Sequence, residues 1–156
     1  MTTSMPASMS TLAPGVVIII ALALFQLIGF GVAVSLARRR YQVAAPATGG
    51  HESFERYFRV HMNTVEQLVV FVPAIWLFAT QVSANWAVIL GVVYLAGRLV
   101  YFYSYVKDPR SRTLGYALSS FPGIIKLAGL VIVSIARLLS LSEPWPSSPP
   151  SAASTR

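Results

Sequence analysis

Four apolar runs, each of about 20 residues or more, constrain this chain more than any motif does. They centre on residues 14–37, 54–81, 86–106 and 113–141. A helix of about 20 apolar residues crosses the ~30 Å hydrocarbon layer of a bilayer. The expected fold class is therefore all-α: an integral membrane four-helix bundle. Composition agrees, with 55% hydrophobic residues, 11% charged residues and a mean hydropathy of +0.65. A soluble domain of 156 residues would need more charge to cover its surface.

The expected organisation is a short tail (1–13), one four-span domain (14–141) and a Pro/Ser-rich tail (142–156) that reads as disordered. The first run is followed by Arg38, Arg39 and Arg40, and is read as a retained span rather than a signal peptide. The net charge of +7 invites a nucleic-acid reading. The basic residues flank apolar runs, however, which assigns them to membrane orientation instead, with no nucleic-acid partner. Arg38, Arg39, Arg40, Arg56 and Arg59 lie around the first polar loop, and Lys107, Arg110 and Arg112 around the next. The positive-inside rule then puts both loops in the cytoplasm and both termini opposite. The chain has no cysteine. Any thiol chemistry must come from a bound small molecule, and no metal site is expected.

The polar residues inside the spans are grouped. Residues 59–67, RVHMNTVEQ, open the second span and carry Arg59, His61, Asn63, Glu66 and Gln67. Positions 59, 63, 66 and 67 share one helix face, because residues three and four apart are neighbours. In the third span Tyr94, Arg98, Tyr101 and Tyr105 form a stripe at steps of four, three and four. The link between these spans is short, so they form an antiparallel hairpin with both polar groups near the basic loops. A charge at the centre of a span costs about 2.5–3.5 kcal/mol. Pairing or a ligand must offset it. A Glu66–Arg98 ion pair that locks the bundle is one solution, and Asn63 and Gln67 suit interhelical hydrogen bonds. A ligand is the other. Guanidiniums fork onto carboxylates, a carboxylate takes an ammonium, and amides match peptide bonds. Glutathione fits this set, with two carboxylates, an ammonium and two peptide bonds; other anionic ligands fit as well. Lys126 matches neither solution.

These residues resemble a known family. The pattern Arg59-x-His61-x-Asn63-x-x-Glu66 is similar to the signature of the MAPEG family, membrane-associated proteins of eicosanoid and glutathione metabolism. ARRRYQV at the end of span one, FERYFR before the motif, GRLVYFYSY in span three and RSR at 110–112 resemble the family as well. The resemblance covers roughly residues 14–141. It implies four transmembrane helices per subunit, a homotrimer with sites between neighbouring subunits, and glutathione as cosubstrate. It further implies Arg38, Arg59, His61, Asn63, Glu66, Gln67, Tyr101 and Tyr105 as glutathione contacts. Arg98 joins them from the stripe. Arg112 would stabilise the thiolate, and Arg39 would handle the electrophile. Gln67 and His61 stand where the leukotriene-forming branch has tyrosine and glutamine, which points to the broader microsomal transferases.

The expected function is a membrane glutathione transferase, with peroxidase activity open, acting on a lipophilic electrophile or lipid hydroperoxide. A non-catalytic lipid-binding or scaffold protein on the same fold is the alternative; the family's non-catalytic member lacks the arginine and glutamate matched by Arg59 and Glu66. A transporter with Glu66 as proton carrier fits four spans poorly.

Overall fold

The computed structural model describes residues 13–108, 110 and 113–141. Arg112, both distal tails and residues 109 and 111 lie outside the described residues, so the role expected of Arg112 has no geometry here. Four helices fill the described chain: α1 (Pro14–Arg40), α2 (Glu52–Gln81), α3 (Ala84–Lys107) and α4 (Thr113–Leu141). Each is long and apolar enough to cross a membrane.

Local chemistry explains where they start and stop. Pro14 occupies the first turn of α1, where its missing N–H costs nothing, and Arg38 to Arg40 sit on the negative end of the helix dipole. At α2 the cap is His51, whose Nδ1 accepts from the Ser53 backbone N–H at 3.2 Å. Serine and acidic side chains are the commoner caps, and both Glu52 and Ser53 directly follow it in the chain. The imidazole takes the job because His51 is held in place by stacking on Tyr41, with ring centroids 4.3 Å apart. Ser83 caps α3 through the Trp86 N–H. Both α2 and α4 continue through an internal proline, Pro73 and Pro122.

The helices α2 and α3, joined by residues 82–83, form the central hairpin. Helix α1 packs on one side of it and α4 on the other. The core of α1, α2 and α3 includes Val16, Ile19, Phe71, Ile75 and Phe78 far from the basic loops. Nearer the loops it continues through Phe30, Val60, Tyr101 and Tyr105, then Val34, Ala37, Val43 and Phe54. The α3–α4 contact is made by glycines. A Cβ on Gly97 would lie 2.7 Å from the Leu118 and Ser119 backbone, and one on Gly115 would meet the Tyr101 backbone. Small residues that let backbones touch are the usual means of helix association in lipid. Large apolar side chains such as Phe25, Val69, Phe121 and Leu138 face outward, as lipid contact requires.

Candidate functional site

Helix α2 enters the bundle with one polar edge outward. Glu55, Arg59, Asn63 and Glu66 recur at steps of four, four and three and, with Met62 and with Thr48 of the first loop, line an open cleft of about 320 Å³. Neither the Arg59 guanidinium nor the Glu66 carboxylate has an ion-pair or hydrogen-bond partner among the described residues. The edge is anchored at Asn63, whose Nδ2 donates to the Tyr101 hydroxyl at 2.7 Å. Asn63 and Tyr101 also line a second cleft, of about 310 Å³, with Thr113 and Tyr116 of α4. Asn63 therefore stands between the two openings.

Behind this pair lies Arg98, fully buried. Its Nη2 donates to Thr64 Oγ1 at 2.5 Å and to the Val60 carbonyl at 3.4 Å. Its guanidinium carbon sits 4.5 Å from the Tyr101 ring centroid. Thr64 in turn donates to the Val60 carbonyl. Arg98 thus ties the α2 turn that carries Asn63 to the α3 turn that carries Tyr101. The Glu66–Arg98 ion pair allowed by the sequence does not form: Glu66 is at the open cleft and Arg98 is inside. Arg98 lines neither cleft, so within one subunit it supports the site from behind.

The other expected residues are dispersed. Tyr105 is buried beside Tyr101, with ring centroids 5.4 Å apart. Gln67 donates to Ser120 Oγ of α4 at 3.4 Å. His61 turns the other way, toward α1, where its ring approaches Gly31. It is two residues from Arg59 and Asn63, and a helix of 3.6 residues per turn sends it to the opposite side. Arg38 spends one guanidinium nitrogen on the carbonyls of Val43, Ala44 and Ala47, at 3.3, 3.1 and 2.8 Å, and stacks over Phe54 at 4.7 Å. Arg38 and Arg39 line a separate cleft with Gln42. Sequence reasoning missed Glu55 and Thr64. Glu55 is one turn before Arg59, so helical spacing marks it. Thr64 carries no such mark, because its value lies in what α3 brings to it.

A bundle of four apolar helices, with an arginine and a glutamate that have no partner among the described residues and a braced amide on one helix edge, has the form of an integral membrane protein. The chain belongs to the MAPEG family, whose sequence pattern matches residues 16–133. It is 36% identical over 102 residues to microsomal glutathione S-transferase 2 of Homo sapiens, covering 65% of this chain and 68% of that protein. It is 34% identical over 83 residues to leukotriene C4 synthase of Cavia porcellus, covering 53% and 55%. An uncharacterized protein of Synechocystis sp. is 42% identical over 110 residues, covering 70% and 80%. These relatives place the chain in a glutathione-related transferase family.

Proposed function

We propose that this protein is a membrane glutathione transferase that joins the glutathione sulfur to lipophilic electrophiles, with lipid hydroperoxides as further substrates. The observation that carries the proposal is the unpartnered Arg59 and Glu66 on either side of the braced Asn63. A free guanidinium and a free carboxylate on one edge, some two helical turns apart, suit a ligand that bears both charges. Arg59 would take a glutathione carboxylate, Glu66 its ammonium, and Asn63 a peptide group. Glutathione supplies the nucleophilic sulfur that a chain without cysteine lacks.

The acidity of that sulfur sets what the protein must contribute. A free thiol near pKa 8.5 is only about 3% ionised at pH 7. Lowering it by two units takes about 2.7 kcal/mol of preference for the anion. One hydrogen bond from a charged donor is worth ~1.5–3 kcal/mol, so a single arginine suffices. By family resemblance that arginine is Arg112, with Tyr101 or Tyr105 assisting. Arg39 would meet the electrophile, and the Arg38, His61 and Gln67 assignments rest on the same resemblance.

The α2 edge is open to its surroundings in one subunit. A neighbouring copy would complete it, and we infer a homotrimer with sites between subunits. Both polar loops would face the cytoplasm. The electrophile would arrive through the lipid, and holding it beside the sulfur would add rate by proximity.

Arg112→Ala tests the mechanism. Turnover with a lipophilic electrophile at pH 7 should fall by about 25-fold, as the thiolate fraction drops from about three-quarters to about 3%, while glutathione still binds. Turnover equal to the parent's would remove Arg112 from the role.

A further inference from the structure

Helix α1 ends on three consecutive arginines, and a rotation of about 100° per residue sends them in three directions. Arg38 is occupied by loop carbonyls, and Arg39 faces the cleft with Gln42. Arg40 lines a different hollow, of about 240 Å³, with Ala33, Leu36, Ala37, Tyr41 and Tyr57. None of these residues contributes to the clefts beside Asn63.

The hollow has two chemically distinct ends. At the loop end stand the Arg40 guanidinium and Tyr41, while Ala33 lies about 10 Å deeper along α1. Tyr41 is held by stacking on His51 at 4.3 Å, and Arg40 leans over its ring at 5.7 Å. Tyr57 of α2 is fixed edge-on against Phe102 at 5.8 Å. Neither the Arg40 guanidinium nor the Tyr57 hydroxyl has a hydrogen-bond partner among the described residues. No carboxylate lines the hollow. Below it, Leu36, Val32 and Ile28 continue as an exposed apolar ridge down α1.

We propose that this hollow binds an anionic phospholipid, with its phosphate on Arg40 and Tyr57 and one acyl chain lying along Ala33 and Leu36. A guanidinium forks onto phosphate oxygens, and tyrosine favours headgroup depth. The basic end of a span is where headgroups lie, and anionic lipids concentrate beside such clusters. The apolar lower half has no use for a free phosphate ion and matches a chain of methylenes. The site is separate from the glutathione-binding edge and stands whether or not that edge binds glutathione.

The test is a titration of delipidated full-length protein with dioctanoyl phosphatidylglycerol, read by native mass spectrometry. Saturable binding is expected, weakened about tenfold by Arg40→Gln, the loss of one charge-assisted contact. Ala33→Phe should weaken it without changing charge, by filling the apolar half. Lys107→Gln, an equal loss of charge on the same side of the bundle, should leave it intact. Each of four results would overturn the proposal. They are no saturable binding, equal weakening by Lys107→Gln, equal binding of dioctanoyl phosphatidylcholine, and displacement of the lipid by inorganic phosphate. Cross-links from position 40 to a second copy, with no lipid bound, would give the hollow to a subunit interface instead.

Discussion

Asn63 depends on Tyr101, and Tyr101 on Arg98. The Asn63 amide reaches the Tyr101 hydroxyl at 2.7 Å, and Tyr101 is backed by the Arg98 guanidinium. Tyr101→Phe keeps the ring on Arg98 but deletes the acceptor, leaving a part-buried amide unpaired at a cost of roughly 1–3 kcal/mol. Calorimetric titration should show glutathione affinity down by about tenfold or more, with the helical circular dichroism unchanged. Thr64→Val removes the short partner of Arg98 Nη2. Because a buried charge loses a bond, the apparent unfolding free energy should drop by roughly 1–3 kcal/mol in a detergent-unfolding titration. The stripe of Tyr94, Arg98, Tyr101 and Tyr105 was readable from its spacing, and all four are buried. What spacing leaves open is whether a stripe faces a ligand or the bundle interior. Arg98 faces the interior because Thr64 and the Val60 carbonyl wait there, and both come from another helix. The turn of His61 away from Arg59 and Asn63 was readable from the same spacing, because position 61 is off the face shared by 59, 63, 66 and 67. The motif groups it with Arg59 and Asn63, whereas helical rotation separates it from them.

The apolar runs translate directly into helices, since lipid leaves the backbone no other partner for its polar groups. The ends of helices were harder to read. Capping is decided by single contacts, as when His51 rather than Ser53 or Glu52 supplies the acceptor for α2. The short link gave the α2–α3 hairpin, but which helices flank it was hidden. Periodicity marks an apolar stripe but not its partner, and α1 and α4 end up on opposite sides of the α2–α3 hairpin. The closest helix pair, α3 and α4, is set by Gly97 and Gly115. Gly97→Leu should force the two helices apart, because a Cβ there would lie 2.7 Å from the α4 backbone. Overpacking of this kind costs typically about 1–3 kcal/mol. The cleft of Asn63, Tyr101, Thr113 and Tyr116 spans the same helix pair, so a lower midpoint of thermal unfolding should come with weaker ligand binding. An unchanged midpoint would show that the α3–α4 spacing is not set at Gly97.

At the scale of the molecule, apolar and polar side chains occupy different surfaces. The outward ridges of α1 and α4 are almost wholly apolar, and the charged groups concentrate toward the loops that join α1 to α2 and α3 to α4. Two buried basic side chains, Arg98 and Lys126, break that division, as does Arg137 at the far end of α4. Lys126 rests with its Nζ 3.9 Å from the Phe71 ring centroid, and no function is evident for it in the structure. The proposed function requires glutathione to be gripped along α2 and its sulfur ionised there. The most direct measurement is a titration of the purified, reconstituted protein with glutathione, following thiolate absorbance in the ultraviolet. A saturable rise is expected for the parent chain, no rise for Glu66→Ala, and binding without the rise for Arg112→Ala. Thiolate absorbance that climbs only in proportion to added glutathione, or that saturates equally in Glu66→Ala, would contradict the proposed function.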